Sequence, residues 1–126
     1  PVMDGQVTDA LMSVLSAPFL NMKMAIAVDP DINIYDYRDV HYAMATRVDP
    51  SRHVITVDNA RGLPFDPTAV PISGAMPDTE ETRFPSVVGK WGIDATKPVP
   101  YRPERKNYER AWPLHWGEVR LADYLD

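Results

Sequence analysis

Aspartates 29, 31 and 36 stand directly behind an apolar run, Met22 to Val28, that is interrupted only by Lys23. Acids just past the carboxyl end of a strand occupy the place where open α/β sheets bind ligands. A calcium loop is the first chemistry to test. The pattern Asp-x-Asp-x-Asn is present at 29, 31 and 33, but the sixth position is Ile34 rather than glycine and the twelfth is Val40 rather than glutamate, so that reading fails. A magnesium-dependent phosphoryl site of the receiver type at Asp29 and Asp31 stands as a third-rank reading. Against it, Asp29 and Asp31 shape a turn while Asp36 caps a helix, both routine uses of aspartate. Lys23 poses a sharper question, because an ammonium at the start of an otherwise apolar strand must either snorkel to water or meet an anion. His41, His53 and His115 are scattered, without the i, i+4 pairing or convergent carboxylates of a zinc or manganese site. Ser73 and Ser86 have no His and Asp arranged to activate them, and there is no cysteine to act as a thiolate. Gly89 and Gly92 lack the spacing and the strand-turn-helix context of a phosphate-cradling loop.

The elements that must position these residues are legible between 22 and 58. Met22 to Val28 is too short for an ordinary helix and reads as a strand buried on both faces, which implies a parallel sheet. Asp36 caps a helix running to about Arg47, with Val40, Ala43, Met44 and Arg47 at helical spacing. Asp49-Pro50-Ser51 forces a turn before a second strand, Val54 to Val57. Two parallel strands joined by a helix form a right-handed crossover. Upstream, Val7 to Leu15 reads as a short amphipathic helix capped by Thr8 and closed before Pro18. Eight prolines between Asn59 and Pro103 rule out a regular helix there, although Val87 to Thr96 can form one more extended segment with Gly89 and Gly92 allowing close backbone approach. The tail, Asn107 to Asp126, carries two candidate helical pieces broken at Pro113. The expected architecture is a single three-layer α/β domain over 1–126 with a small, mainly parallel sheet: 7–58 holding the helix and βαβ unit, 59–103 a Pro-rich loop region, and 104–126 an aromatic tail.

Composition narrows the classes. At 126 residues the chain is the size of one domain, and 44% hydrophobic with 25% charged residues is ordinary for a globular protein. No apolar run approaches the ~20 residues of a membrane-spanning helix. A net charge of −5 and a pI near 5.1 argue against nucleic-acid binding, which needs a basic face. The basic cluster Arg102, Arg105, Lys106 and Arg110 is interleaved with Glu104 and Glu109 and reads as a solvated polar face. The lack of cysteine and of a basic, apolar leader fits the cytoplasm. Pro1 in place of an initiator methionine implies processing, excision or added residues, with Met3 a candidate start of its own.

The strand followed by VDPDINIYDYRDV, the helix ending in ATRVDPSR, the strand ending in NARGLPFDP and the later GKWGIDATKP together resemble, over roughly residues 7 to 98, the carboxyl-terminal domain of the UbiD family of decarboxylases. The resemblance implies a part in the reversible decarboxylation of aromatic or unsaturated acids with prenylated flavin mononucleotide. The catalytic glutamate and arginine and the manganese ligands of that family lie in a larger upstream flavin-binding domain, which no segment here matches. This chain is thus expected to complete an enzyme and to do no chemistry alone, holding no cofactor or metal by itself. A lysine at the place of Lys23 contacts the flavin phosphate in the family, which makes Lys23 the one candidate cofactor ligand; a plain edge lysine is the alternative. The expected partners are the flavin-binding domain or subunit and further copies of the chain, since the family associates through this domain. Trp112, Trp116, Tyr108 and Tyr124 form either an interface or a satellite core under the tail. A stand-alone, non-catalytic assembly or regulatory subunit is the rival function. The substrate is not legible.

Overall fold

The computed structural model describes residues 1–17, 22–63, 66–71, 86–112, 114, 115, 117, 118, 120 and 122. In order come α1 (Gln6–Leu15), β1 (Met24–Val28), α2 (Tyr37–Arg47), the single-turn α3 (Pro50–His53), β2 (Val54–Arg61), β3 (Val70–Pro71), β4 (Ser86–Ala95) and a 3-10 helix (Pro103–Tyr108). The class is α/β as expected. Side chains alternate between the faces of a strand, and at β4 this sorts the layers. Gly92 lies against Leu11 of α1, whereas its neighbour Ile93 packs with Ala43 of α2, so the helices cover opposite faces of the sheet. Val7, Leu11 and Leu15 form the buried stripe of α1, four residues apart. Thr8 is not its cap. The cap lies three residues earlier, at Gly5 with φ 82°, a conformation that glycine adopts without strain.

Strand sense departs from the expected crossover. The order is β1-β4-β2, with β4 parallel to β1 and antiparallel to β2, and β3 antiparallel to β4. The sheet is mixed, and the parallel partner of β1 is the distant β4 rather than β2. Arg47 gives the physical reason. Its guanidinium, in the last turn of α2, is bonded to Asp29 and Asp31 just past the carboxyl end of β1, so the helix returns the chain to the end at which β1 finished. β2 must start there and run back. It also extends beyond Val57, because Asp58 and Asn59 form a bulge, with Asn59 at φ 53°, and pairing resumes at Ala60 and Arg61. β1 is half-buried rather than buried on both faces, and Met24 is exposed. The most buried strand is β4.

The carboxyl end of β1 is closed by an ionic network. The Arg47 side chain is 0% exposed. One terminal nitrogen donates to Asp29 Oδ2 at 3.4 Å and Asp31 Oδ1 at 3.2 Å, and the other to Asp31 Oδ2 at 2.7 Å. The Lys97 amide donates to Asp29 Oδ2 at 2.5 Å, and its buried ammonium lies 3.2 Å from Asp31 and 3.3 Å from Glu109. The Arg47 guanidinium and, behind it, Lys97 hold the Asp31 carboxyl down at about 2. Two buried cations and three acids thus fasten α2, the segment after β4 and the 3-10 helix to one strand end.

In place of a helix from Asn107, the tail has its 3-10 turn at Pro103–Tyr108 and runs without helix from 109 to 112. Arg110 pairs with Asp39 of α2, with its guanidinium 4.1 Å from the Tyr42 ring and 5.1 Å from the Trp112 ring. Trp116, Val119, Leu121 and Tyr124 lie outside the described residues.

A Cβ at Gly92 meets three Leu11 side-chain carbons at 3.4 Å, whereas one at Gly89 meets nothing within 4 Å. Gly92→Val is therefore expected to cost about 1–3 kcal/mol by overpacking α1, with Gly89→Ala close to neutral, as read by urea denaturation. Arg47→Met strands the carboxylate of Asp29, which is 5% exposed, and is expected to cost about 3–5 kcal/mol. Because the Asp31 carboxyl is depressed from 3.8 to about 2, its stabilisation is complete above pH 3.8 and is lost as pH falls toward 2. The gap between wild type and Arg47→Met should accordingly narrow across that window in acid titrations followed by circular dichroism.

Candidate functional site

The two regions singled out by the sequence lie at opposite ends of β1. At the carboxyl end, Asp29 and Asp31 accept from Arg47 and Lys97, so a magnesium ion would have to displace a buried guanidinium to reach them. Asp36 caps α2 as expected, accepting from the Arg38 amide at 2.9 Å. These acids are structural. Arg47 and Lys97, the cations that occupy them, were missed as partners; an arginine within the apolar stripe of α2, facing an acid pair one turn and a strand away, was the available signal. Asp39 was missed as well. It accepts from the Asn33 amide at 2.7 Å and from Arg110, and these bonds, Arg110 first, lower its pKa.

A polar cleft of about 310 Å³ opens nearby between the start of α1, α3 and the segment after β4. Its cations are engaged. Arg52 pairs with Asp49 at 2.9 Å, Arg102 with Asp4 at 2.8 Å, and Lys97 with Asp31 and Glu109. Arg105 donates to the Pro98 carbonyl. Three members of the basic cluster, Arg102, Arg105 and Arg110, thus fasten the tail to the domain, a more specific role than a solvated face.

Lys23 stands at the amino end of β1, one residue before Met24, with its carbonyl accepting from the Trp91 amide at 3.0 Å. Its ammonium donates to Asp66 and to Thr68 Oγ1, with Asp66 Oδ2 at 2.8 Å, Oδ1 at 3.0 Å and the hydroxyl at 2.5 Å. Asp66 in turn accepts from the amide and the hydroxyl of Thr68, each at 2.8 Å. The Lys23 bond and then those from Thr68 hold the Asp66 carboxyl down at about 2, so it is ionised under physiological conditions. The lysine side chain remains 40% exposed. An ammonium on a flexible stem at the rim of a strand is chemically suited to a phosphate oxygen. Among the described residues no three His, Asp or Glu side chains converge on a metal position. No helix among them is long and apolar enough to cross a membrane. His41 packs edge-on against Tyr37, His53 lies beside the Asp49 amide and the Arg47 carbonyl, and His115 pairs with Glu118, so the three histidines stay apart.

Relatives share this domain. An anhydromevalonate phosphate decarboxylase of Methanosarcina mazei is 37% identical over 108 residues, covering 86% of this chain and 22% of the relative. That of Archaeoglobus fulgidus is 36% identical over 96 residues, 76% of this chain and 19% of the relative. The fold is similar to that of the UbiD-class enzyme HmfF from Pelotomaculum thermopropionicum in complex with FMN, with a TM-score of 0.70 and 29% identity, over 98% of this chain and 24% of that one. The chain spans about a fifth of the length of the curated relatives it matches. With residues 3–95 matched by the family model of the 3-octaprenyl-4-hydroxybenzoate carboxy-lyase C-terminal domain, and with the strand-end network and strand order now accounted for, this chain belongs to the UbiD C-terminal domain family.

Proposed function

We propose that this chain is the carboxyl-terminal domain or subunit of a prenylated-flavin-dependent carboxy-lyase acting on aromatic or unsaturated acids. It supplies oligomer contacts and one edge of the cofactor site, Lys23 to the flavin phosphate, and works in the cytoplasm. The observation that carries this reading is the family match over residues 3–95, joined to a fold like that of a UbiD-class enzyme in complex with FMN. The carbon-carbon chemistry is supplied by the bound flavin. Acid-base groups and the manganese ligands are assigned to the flavin-binding part, because the acids past β1 are engaged by Arg47 and Lys97 and, among the described residues, no three His, Asp or Glu side chains converge. The alternative is a stand-alone, non-catalytic assembly or regulatory subunit.

Reconstitution separates the two. The chain alone should be colourless and leave aromatic carboxylic acids unchanged, and adding the flavin-binding part should restore release of carbon dioxide. Carbon dioxide from the chain alone would overturn the account, while failure of any flavin-binding partner to co-purify would favour the regulatory subunit. In the complete enzyme, Lys23→Ala should weaken flavin retention by on the order of ten- to a hundredfold without unfolding the domain; equal flavin content would return Lys23 to an edge lysine. A chain ending at Ala111 keeps the Arg110 anchor but loses Trp112 and everything after it. Its sedimentation should shift to a smaller species if the aromatic tail is an interface.

A further inference from the structure

We propose that Asp66 is a positioning residue that holds Lys23 in reserve, so that a phosphate is bound only by displacing Asp66 as partner of the ammonium. The inference rests on the assignment of Lys23 to the flavin phosphate and identifies what that contact must overcome. In the present arrangement the cation is neutralised by a carboxylate oxygen at 2.8 Å and is also held by the Thr68 hydroxyl. A dianionic phosphate approaching this pair meets no net charge. If Lys23 stayed in place, the phosphate would have the Asp66 carboxylate immediately behind its ligand, a like-charge contact that opposes binding.

The two partners are not equally free to move. Asp66 is fixed by the amide and hydroxyl of Thr68 and its side chain is 15% exposed, whereas Lys23 is 40% exposed on a four-carbon stem. The lysine is the group that turns. A partly exposed ion pair is a weak restraint that a stronger charge-assisted contact can replace. The consequence has a distinctive sign: removing the charge of Asp66 frees the ammonium and strengthens phosphate binding, whereas loss of a merely structural residue weakens or spares it.

The test uses the complete flavoprotein containing this chain, stripped of cofactor and titrated with FMN or with riboflavin, which lacks the phosphate, by quenching of flavin fluorescence. Asp66→Asn should tighten FMN about five- to tenfold at low salt, less at high salt, and leave riboflavin unchanged. Thr68→Val removes one acceptor of Lys23 and two-point orientation of Asp66; it should shift FMN in the same direction by less, and serves if Asp66→Asn does not fold. In a Lys23→Met background the gain from Asp66→Asn should vanish. Unchanged or weaker FMN binding by a folded Asp66→Asn protein, or an equal gain with riboflavin, overturns the exchange. A gain that persists without Lys23 also overturns it, since Asp66 would then act by direct repulsion. Lys23→Met binding FMN as wild type does would instead remove the phosphate assignment itself.

Discussion

The buried guanidinium of Arg47 is the constraint on which the arrangement of this domain turns. Taking an arginine wholly out of water is costly unless its donors are matched, and here two carboxylates at one strand end match them. Only Nε lacks a partner among the described residues. The same contact fixes where α2 ends, hence where β2 begins, hence the antiparallel run of β2 against β4. A pairing of side chains thereby decides the sense of a strand. Lys97 brings the chain after β4 onto the same two acids, and through Glu109 reaches the tail.

Around this lock the cations of the tail act as fasteners. Arg102 holds Asp4 ahead of α1, Arg105 holds the Pro98 carbonyl, and Arg110 lies near the Tyr42 and Trp112 rings while bonded to Asp39 of α2. An irregular segment with little helix of its own is thus tied at several points to regular elements. Each exposed pair alone is worth little, but their spacing from Arg102 to Arg110 leaves the segment few other paths.

The ends of β1 have separate roles. The carboxyl end, where ligands of α/β sheets are usually sought, is occupied by the network, and five strand residues, roughly 17 Å, separate it from Lys23. The amino end is where a partly exposed cation remains for an anion, beside the exposed Met24 and Trp91, which are partners in the parallel register. The strand-end network and the Lys23–Asp66 pair therefore draw on different charges at opposite ends of β1.

Legible in the sequence alone were the α/β class, both ends of α2 with its Asp36 cap, the position of β4 to within a residue, and the family. Those features are local or ordered along the chain: periodicity, capping chemistry and four motifs in sequence. Contacts between residues far apart in the chain come only with the fold. The bulge at Asn59 looked like the end of a strand because polar residues signal turns and bulges alike. The mixed sheet was hidden because a helix between two apolar runs has the same local pattern whether its end returns to the start or to the finish of the first strand. Arg47 is placed in the sequence only by its helical spacing, and Lys97 and Asp66 receive no role there, since a salt bridge across eighteen, sixty-six or forty-three residues leaves no trace of its partner in the local pattern. Charge pairing acts through space, and the sequence records only that both partners exist.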